Sequence, residues 1–348
     1  MGRILRWIAN VRISVDIIME GVRARRSHPV RLVLVAVLIA GLTLAAEPAD
    51  ALNARTALGV YAGLANPSGI ANFASATGTH PKLASDYLPI SSGWAGMDGA
   101  GGSLNWLLGA YEGTGYNLAL GVPIVPTDSS GNAQGTLAGG AAGNYDSYFV
   151  TLAETLVSAG FGGAYLRLGY EFNGNWNPWQ VTDSTDAAAF VSYWQNIVTA
   201  MRSVPGANFK FVWNPSAGID DSYSPAQAYP GDAYVDYIGL DTYDDFWGTP
   251  FTPQAAWSNL LTQLWGLNWL SSFAASESRP MALPEWGVAN DSHGLGDDPY
   301  FVNQLAAWLV ANHVAWTSYF ACNTSGGDYN ITDGYFPNAL AAFKAAFG

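Results

Sequence analysis

The stretch Gly163-Ala-Tyr-Leu-Arg-Leu-Gly-Tyr-Glu-Phe-Asn-Gly174 carries the pattern on which the fold is predicted. A short apolar run, Gly163–Leu168, leads to a carboxylate, Glu171, and then into a loop that contains asparagine and glycine. The run Pro280–Pro284 leads in the same way to Glu285. Continuous apolar runs of this length are typical of parallel strands that are buried on both faces. We therefore expect both glutamates at the ends of buried parallel strands.

Eight such runs alternate with helical patterns from about residue 57 to the end of the chain. We predict strands at Ala57–Gly63, Tyr87–Ile90, Asn117–Val125, Gly163–Leu168, Phe209–Trp213, Tyr237–Leu240, Pro280–Pro284 and Val314–Phe320. Thr252-Pro253 and Asp298-Pro299 each predict a helix start, with an N-cap residue followed by proline at the first helical position. Eight strands separated by helices predict an α/β fold, a single (β/α)8 TIM barrel over residues 52–348.

The composition is poor in charge and rich in aromatic rings. Charged residues make up 12% of the 348 residues and aromatic residues 14%. Seven of the 14 Lys and Arg precede Leu52, as do four of the 27 Asp and Glu, so the rest of the chain carries a net charge of −16. Such an acidic body repels phosphate backbones, which argues against a nucleic-acid partner. Cys322 is the only cysteine, which excludes an intramolecular disulfide.

Residues 1–51 have the pattern of an N-terminal export segment. Four arginines precede the apolar run Leu32–Ala46, and Ala49-Asp-Ala51 offers a small-residue cleavage site. The apolar run is shorter than the ~20 residues that a membrane-spanning helix needs. We expect signal-peptide cleavage near Leu52 and a secreted or periplasmic protein without a membrane partner. The alternative is an uncleaved membrane anchor.

Glu171 and Glu285 are the candidate catalytic residues because the active groups of such barrels lie where the strands end. Breaking a bond between two sugars needs one carboxylic acid for the leaving oxygen and one carboxylate as nucleophile or base. A separation of about 5–5.5 Å suits covalent attack, and about 6.5–9.5 Å leaves room for a water. The alternative is a pair of structural carboxylates bonded to arginine or backbone. Only seven basic residues follow Leu52, which makes that alternative weaker.

Four segments resemble those of glycoside hydrolase family 26, the β-mannanase family of the large retaining barrel clan. Arg167-Leu-Gly-Tyr-Glu-Phe-Asn-Gly-Asn-Trp-Asn-Pro-Trp179 resembles its acid/base segment. Phe211–Pro215 and Tyr229–Tyr243 resemble its fifth-strand and sixth-strand segments, and Pro284–Gly287 resembles its nucleophile segment. The four segments follow one another in the family's order over nearly the whole chain after the export segment.

The resemblance implies a retaining β-glycoside hydrolase that acts through a covalent glycosyl-enzyme. It makes Glu171 the acid/base, Glu285 the nucleophile, Tyr243 the residue that orients the nucleophile, and Trp176 a platform for a sugar. β-Mannan is the first expected substrate, with β-glucan or β-xylan next. The supply of aromatic residues is enough for several sugar subsites, which favours endo-action.

Further side chains are predicted to contact the substrate. An indole offers a flat apolar face to the C–H groups of a pyranose ring. Residues four apart on a strand point to the same side, so the first arginine of the acid/base segment can orient carboxylates or sugar hydroxyls. The predicted substrate contacts are Arg167, Tyr170, Asn173, Trp176, Trp179, Trp213, Asp241 and Trp286, and Trp94 and Trp247 are further candidates to line a cleft.

Two positions depart from the family's pattern. Members usually have histidine directly before the acid/base glutamate, where this chain has Tyr170. Tyrosine donates a hydrogen bond but carries no positive charge near neutral pH. The family often places a sugar-stacking tryptophan at the eighth strand; Trp316 is either that residue or part of the core.

No metal or cofactor is expected, because the three histidines after the export segment lack zinc-type spacing. Asp241, Asp244 and Asp245 either bind calcium or form a solvated acidic loop, and no calcium-loop spacing surrounds them. The expected partner is a β-linked polysaccharide or oligosaccharide, and the expected state is a monomer. Two other functions remain open: a non-catalytic carbohydrate-binding barrel, and a transglycosylase acting on exopolysaccharide.

Overall fold

A closed parallel barrel of eight strands forms the body of the protein. The computed structural model describes Leu52 and residues 55–218 and 223–348, so the predicted export segment lies outside the described residues. The strands are β1 (Ala57–Tyr61), β2 (Leu83–Tyr87), β3 (Asn117–Val122), β4 (Tyr165–Leu168), β5 (Lys210–Trp213), β6 (Tyr237–Tyr243), β7 (Met281–Gly287) and β8 (Trp316–Phe320). Each strand pairs in parallel with the next, and β8 pairs with β1. The prediction of a single (β/α)8 barrel is confirmed.

Helices cover the outside of the barrel and bury their apolar faces against it. They are α1 (Pro67–Thr77), α2 (Gly93–Asp98), α3 (Ser103–Tyr111), α4 (Leu137–Ala141), α5 (Asp146–Ser158), α6 (Ser184–Arg202), α7 (Pro253–Thr262), α8 (Leu267–Ser276), α9 (Pro299–Ala311) and α10 (Pro337–Phe347), with a 3-10 turn at Pro225–Ala228. Both predicted N-caps are present: Thr252 accepts from the amide of Ala255, and Asp298 accepts from the amide of Tyr300. Within the described ranges, no helix has the length and apolar character that crossing a membrane requires.

Large side chains close the amino-terminal end of the barrel. They are the first residues of the even-numbered strands, Leu83, Tyr165, Tyr237 and Trp316, which meet in one cluster. The ring of Trp316 lies 5.2 Å from that of Tyr165 and 6.3 Å from that of Tyr237. Four residues from alternate strands forming one layer is the usual filling of such a barrel. Trp316 is therefore a core residue at the end of the barrel away from the strands' carboxyl ends.

The position of β2 corrects the sequence prediction. The strand runs from Leu83 to Tyr87, whereas the apolar run Tyr87–Ile90 was predicted to form it. Ser85 and Asp86 made the true strand look polar, yet both are buried. Asp86 is accommodated because its carboxylate accepts from the hydroxyl of Tyr111 at 2.8 Å and from a backbone amide.

Strands β6 and β7 extend further than predicted, to Tyr243 and Gly287. Their pairing shifts register between Gly239 and Asp241, and β7 shifts against β8 between Leu283 and Trp286. These irregularities lie beside Pro284, which has no N–H to donate to a neighbouring strand. Beyond the shift, Asp241 pairs with Glu285 across the two strands.

Alternation along the even-numbered strands turns a second set of side chains inward. Tyr87 lies four residues beyond Leu83, Arg167 two beyond Tyr165, and Asp241 four beyond Tyr237, so each points to the same side as the residue in the closing layer. The barrel interior therefore changes from apolar at its amino-terminal end to polar and charged at its carboxyl-terminal end.

Candidate active site

Glu171 lies in the turn that follows β4 and has an unusual backbone conformation. Its φ is +52°, in the left-handed region that residues other than glycine seldom adopt. Its amide donates to the backbone oxygen of Asn214 at 2.9 Å, which holds the turn to the end of β5. Non-glycine residues held in this region cluster at active sites, where the surrounding structure compensates the strain.

The carboxylate of Glu171 is suited to hold a proton near neutral pH. Burial raises its pKa to about 7, the negative charge of Glu285 acts in the same direction, and a hydrogen bond from Trp176 partly opposes both. That bond runs from Nε1 of Trp176 to Oε2 of Glu171 at 2.8 Å. A carboxylic acid with such a pKa can donate a proton to a leaving group at the pH at which it works.

Glu285 lies within β7 and is surrounded by hydrogen-bond donors. The hydroxyl of Tyr243 donates to its Oε1 at 2.6 Å, and Nη2 of Arg167 donates to its Oε2 at 3.1 Å. The hydroxyl of Tyr87 also donates to Oε2. Three donors, one of them cationic, fix the orientation of the carboxylate. The side chain keeps 13% of its surface exposed, which leaves it open to an incoming group.

Tyr87 and Tyr243 remain hydrogen-bond donors because neither loses its proton in the normal range of pH. Burial raises the pKa of each hydroxyl well above its usual value, and the negative charge of Glu285 raises it further. Both hydroxyls therefore remain available to donate to Glu285.

Arg167 lies in the barrel interior and links the ends of β5, β6 and β7. Its Nε donates to Oδ1 of Asn214 at 3.0 Å, and its Nη2 forms an ion pair with Asp241 as well as with Glu285. The side chain is only 1% exposed, so it orients protein carboxylates and has almost no surface for a sugar hydroxyl. The burial of Arg167 contradicts its predicted contact with the substrate. Asp241 is buried but lines the cavity over Glu171, so its contact with the substrate stays a prediction.

Three tryptophans that were predicted to contact the substrate belong to the core instead. Trp179, Trp213 and Trp286 are completely buried, so their ring faces cannot be offered to a sugar. The indole of Trp179 donates to the backbone oxygen of Tyr170 at 2.8 Å, and Trp213 donates to that of Ala228 at 3.1 Å. The prediction is wrong for these three residues. Trp213 and Trp286 lie on strands β5 and β7 and pack into the core, and Trp179 packs the loop after β4 against the barrel.

Asn173 also has a structural task. Its Oδ1 accepts from the amide of Ser216 at 2.8 Å and its Nδ2 donates to the oxygen of the same residue at 2.9 Å. These two hydrogen bonds to the backbone of Ser216 tie the loop after β4 to the loop after β5. The predicted contact between Asn173 and a sugar hydroxyl is wrong, since the amide is buried and both of its ends are occupied.

Trp176 and Tyr170 remain at the cleft. Trp176 is 52% exposed and, with Trp247, which is 70% exposed, lines a cavity of about 320 Å³ over Glu171 and Tyr243. Tyr170 is half-buried, with its ring 5.3 Å from the guanidinium of Arg167. The tyrosine that replaces the family's histidine thus packs on the charged centre of the site.

Tyr87 and Asn214 are functional residues that the sequence prediction missed. Tyr87 was expected to begin a strand, whereas it ends one and reaches Glu285 across 198 residues of chain. Had β2 been placed correctly, its position at a strand end would have marked it. Asn214 stands directly after β5 within a segment already singled out, but only coordinates reveal its contact with Arg167.

No group of three or more His, Cys, Asp or Glu side chains is arranged to hold a metal ion anywhere in the described part of the chain. Among its acidic residues, Asp241 and Asp244 are buried, so the prediction of a solvated acidic loop is wrong for both.

This parallel barrel carries two glutamates at the carboxyl ends of β4 and β7. One has a raised pKa and the other is held by three hydrogen-bond donors, which is the construction of a glycoside hydrolase. The model of Glycosyl hydrolase family 26 matches residues 163–278. The match covers a third of the chain and includes three of the four segments that resemble the family in sequence, up to β6.

Two similar proteins are an endoglucanase and a mannan endo-1,4-beta-mannosidase. The chain is 28% identical over 225 residues to Endoglucanase H of Acetivibrio thermocellus, covering 59% of this chain and 22% of that protein. It is 30% identical over 171 residues to a mannan endo-1,4-beta-mannosidase of Bifidobacterium adolescentis, covering 47% of this chain and 16% of that protein. The chain thus spans about a fifth of the length of these curated relatives.

Solved structures share the fold. An endo-beta-1,4-mannanase from Cellulomonas fimi superposes with a TM-score of 0.58 at 17% identity, covering 86% of this chain and 73% of that one. The Bacillus subtilis mannanase man26 superposes with a TM-score of 0.57 at 17% identity, covering 84% and 87%.

Proposed function

We propose that this protein hydrolyses internal bonds of a β-linked polysaccharide by double displacement, with β-mannan as the first substrate and β-glucan or β-xylan next. The observation that carries the proposal is the contrast between the two glutamates. Glu171 has a raised pKa and, among the described residues, accepts a side-chain hydrogen bond from Trp176 alone, whereas Glu285 is held by Arg167 and two tyrosines. Environments that separate the protonation states of two carboxylates are how such sites divide the roles of acid and nucleophile.

The two steps follow from these states. The carboxylate of Glu285 attacks the anomeric carbon while Glu171 transfers its proton to the glycosidic oxygen, so the C–O bond breaks and the leaving chain departs as an alcohol. Glu171, now ionised, takes a proton from a water molecule, whose oxygen attacks the same carbon and releases Glu285 as a carboxylate. The exposed indole of Trp176, bonded to Glu171, is positioned for the sugar of the leaving group.

The substrate proposal is supported by the names of the relatives, which include a mannan endo-1,4-beta-mannosidase and an endoglucanase. It is tested by incubating purified protein with mannan, lichenan and xylan and counting new reducing ends. We expect release from at least one of them, with the β-anomer formed first in a proton NMR time course. First formation of the α-anomer would contradict double displacement. Transfer to an added acceptor sugar in place of water would identify a transglycosylase.

The residue roles are tested by substitution. Glu285→Ala should abolish turnover while polysaccharide binding persists, since the nucleophile is lost but the cleft remains. Glu171→Ala should lower kcat by about 10²–10⁴-fold for poor leaving groups and much less for activated aryl glycosides, where azide should restore part of the rate. The matched control is Glu112→Ala, at an exposed position at the end of α3. Equal losses on all substrates would remove Glu171 from the acid/base role.

A further inference from the structure

A second and larger cavity lies beside the catalytic residues. Its volume is about 790 Å³, more than twice that of the cavity over Glu171. It is lined by residues of β1, β2, α3 and their loops, among them Tyr61, Leu64, Tyr87, Ile90, Ser92 and Trp106. Trp106 is 61% exposed and Leu64 48% exposed, which are large apolar surfaces to leave in water.

The two cavities meet the catalytic pair on different sides. Tyr87 lines the larger cavity and donates its hydroxyl to the nucleophile, Glu285. The smaller cavity also reaches Glu285, through Tyr243, but of the two cavities it alone is lined by Glu171 and Trp176. In the proposed mechanism the sugar that bonds to the nucleophile belongs to the glycone, and the sugar beside the acid belongs to the leaving group. The larger cavity reaches the nucleophile but is lined by neither the acid nor Trp176, so it continues from the glycone side of the cleaved bond.

The lining of the larger cavity is suited to a sugar chain. Trp106 and Leu64 offer apolar surface for the C–H faces of pyranose rings. Hydroxyls of Ser91, Ser92 and Ser103 lie among them and can bond to sugar hydroxyls. A largely apolar surface with a few polar groups is typical of a ligand site, and the volume is within the usual range.

We propose that this cavity is a distal glycone subsite, in which Trp106 stacks a sugar unit at least one position beyond the unit attached to Glu285. The proposal rests on the proposed glycosidase function and adds a direction to it, because the non-reducing end of the substrate extends over α3. It also predicts that the protein prefers long chains, since the binding energy of remote units contributes to catalysis.

The test compares 4-nitrophenyl β-manno-oligosaccharides of one to five sugar units, in which the aryl group occupies the leaving-group position. For the wild type, kcat/KM should rise with the number of units. Trp106→Ala should flatten this rise and lose about tenfold or more on the longest substrate, as expected for one lost stacking contact. Trp106→Phe should recover most of the rise, because it keeps an aromatic platform. Tyr335→Ala is the control, at a position of similar exposure that lines neither cavity.

A second measurement does not depend on turnover. Retardation of the protein in native gels that contain mannan should weaken in Glu285→Ala/Trp106→Ala relative to Glu285→Ala.

An unchanged length dependence and unchanged retardation, with an active wild type, would overturn the subsite alone. A wild type that is inactive on every glycan would overturn the proposed hydrolysis, while weaker retardation would still support sugar binding at Trp106. If Trp106→Ala lost activity only when the leaving group was changed, Trp106 would lie on the leaving-group side of the cleaved bond. That result would overturn the proposed direction of the substrate.

Discussion

The two glutamates of the cleft differ in the side chains that donate hydrogen bonds to them. Glu285 accepts from Tyr243, Arg167 and Tyr87, whereas Glu171 accepts from the indole of Trp176. Each hydrogen bond to a carboxylate favours its charged form, and burial without such bonds favours the neutral form. The indole N–H of Trp176 therefore lowers the pKa of Glu171, and the exposed face of the same ring remains free for a sugar.

The pH dependence of kcat/KM should report the proton on Glu171. With a pKa of about 7, the acid is protonated below that value and loses its proton as the pH rises through it, so kcat/KM should fall above about pH 7. Trp176→Phe removes the bond that stabilises the ionised form, so the pKa of Glu171 should rise and the alkaline fall should move to higher pH. Trp247→Phe is the control, because it alters the same cavity without removing that bond. A fall at the same pH in wild type and Trp176→Phe would contradict this account.

At the scale of elements, strands β2 and β3 together determine where Tyr87 stands. Tyr87 pairs with Gly121 across the two strands. A Cβ added to Gly121 would lie 2.5 Å from Cδ1 of Tyr87 and 3.1 Å from Cε1 of Tyr170. The missing side chain on β3 therefore makes the room in which both rings pack against Arg167.

Gly121→Ala should lower kcat through Tyr87. The added methyl group forces the ring of Tyr87 away from its position and weakens its bond to Glu285, so we expect a loss of about tenfold, close to the value of one such hydrogen bond. Tyr87→Phe should give a loss of the same order. Gly109→Ala, on the exposed side of α3 where a Cβ meets no atom within 4 Å, is the control and should retain full activity. Wild-type kcat in both Tyr87→Phe and Gly121→Ala would show that Glu285 does not depend on Tyr87.

The sequence predicts the barrel well because apolar runs mark most of its strands directly. It fails at β2, where the polar residues Ser85 and Asp86 are buried and the partner of Asp86, Tyr111, lies 25 residues further along the chain. Among the site residues, motif position indicates Glu171 and Glu285. It cannot separate an indole that packs a loop, such as Trp179, from one that faces the cleft, such as Trp176, because both occur in the same asparagine-rich segment.

At the scale of the whole molecule, the acidic excess is concentrated partly inside the fold. Asp244 follows β6 and Asp298 caps α9, and both are buried next to each other. One oxygen of each has no donor among the described residues. Two adjacent buried carboxylates cannot both be charged at low cost, so one of them retains a proton.

This shared proton makes the free energy of unfolding depend on pH. Burial, with the neighbouring charge of Asp298, raises the pKa of Asp244 to about 9. Since the folded pKa lies above that of the unfolded chain, the folded state binds the extra proton between about pH 4 and 9. The stability that this proton provides is fully present at low pH and is lost at about 1.4 kcal/mol per pH unit as the pH rises through that window.

Asp244→Asn should flatten this dependence, because the amide stays neutral and can donate to Asp298 at every pH. Urea unfolding at pH 6, 7 and 8 measures the slope, which should be shallower by up to about 1.4 kcal/mol per pH unit in the variant than in the wild type. Glu154→Gln, at an exposed position on α5, removes the same charge without burial and should leave the slope unchanged. Parallel slopes for wild type and Asp244→Asn would mean that the pair is ionised in the folded protein, and that the barrel tolerates two adjacent buried charges at this rim.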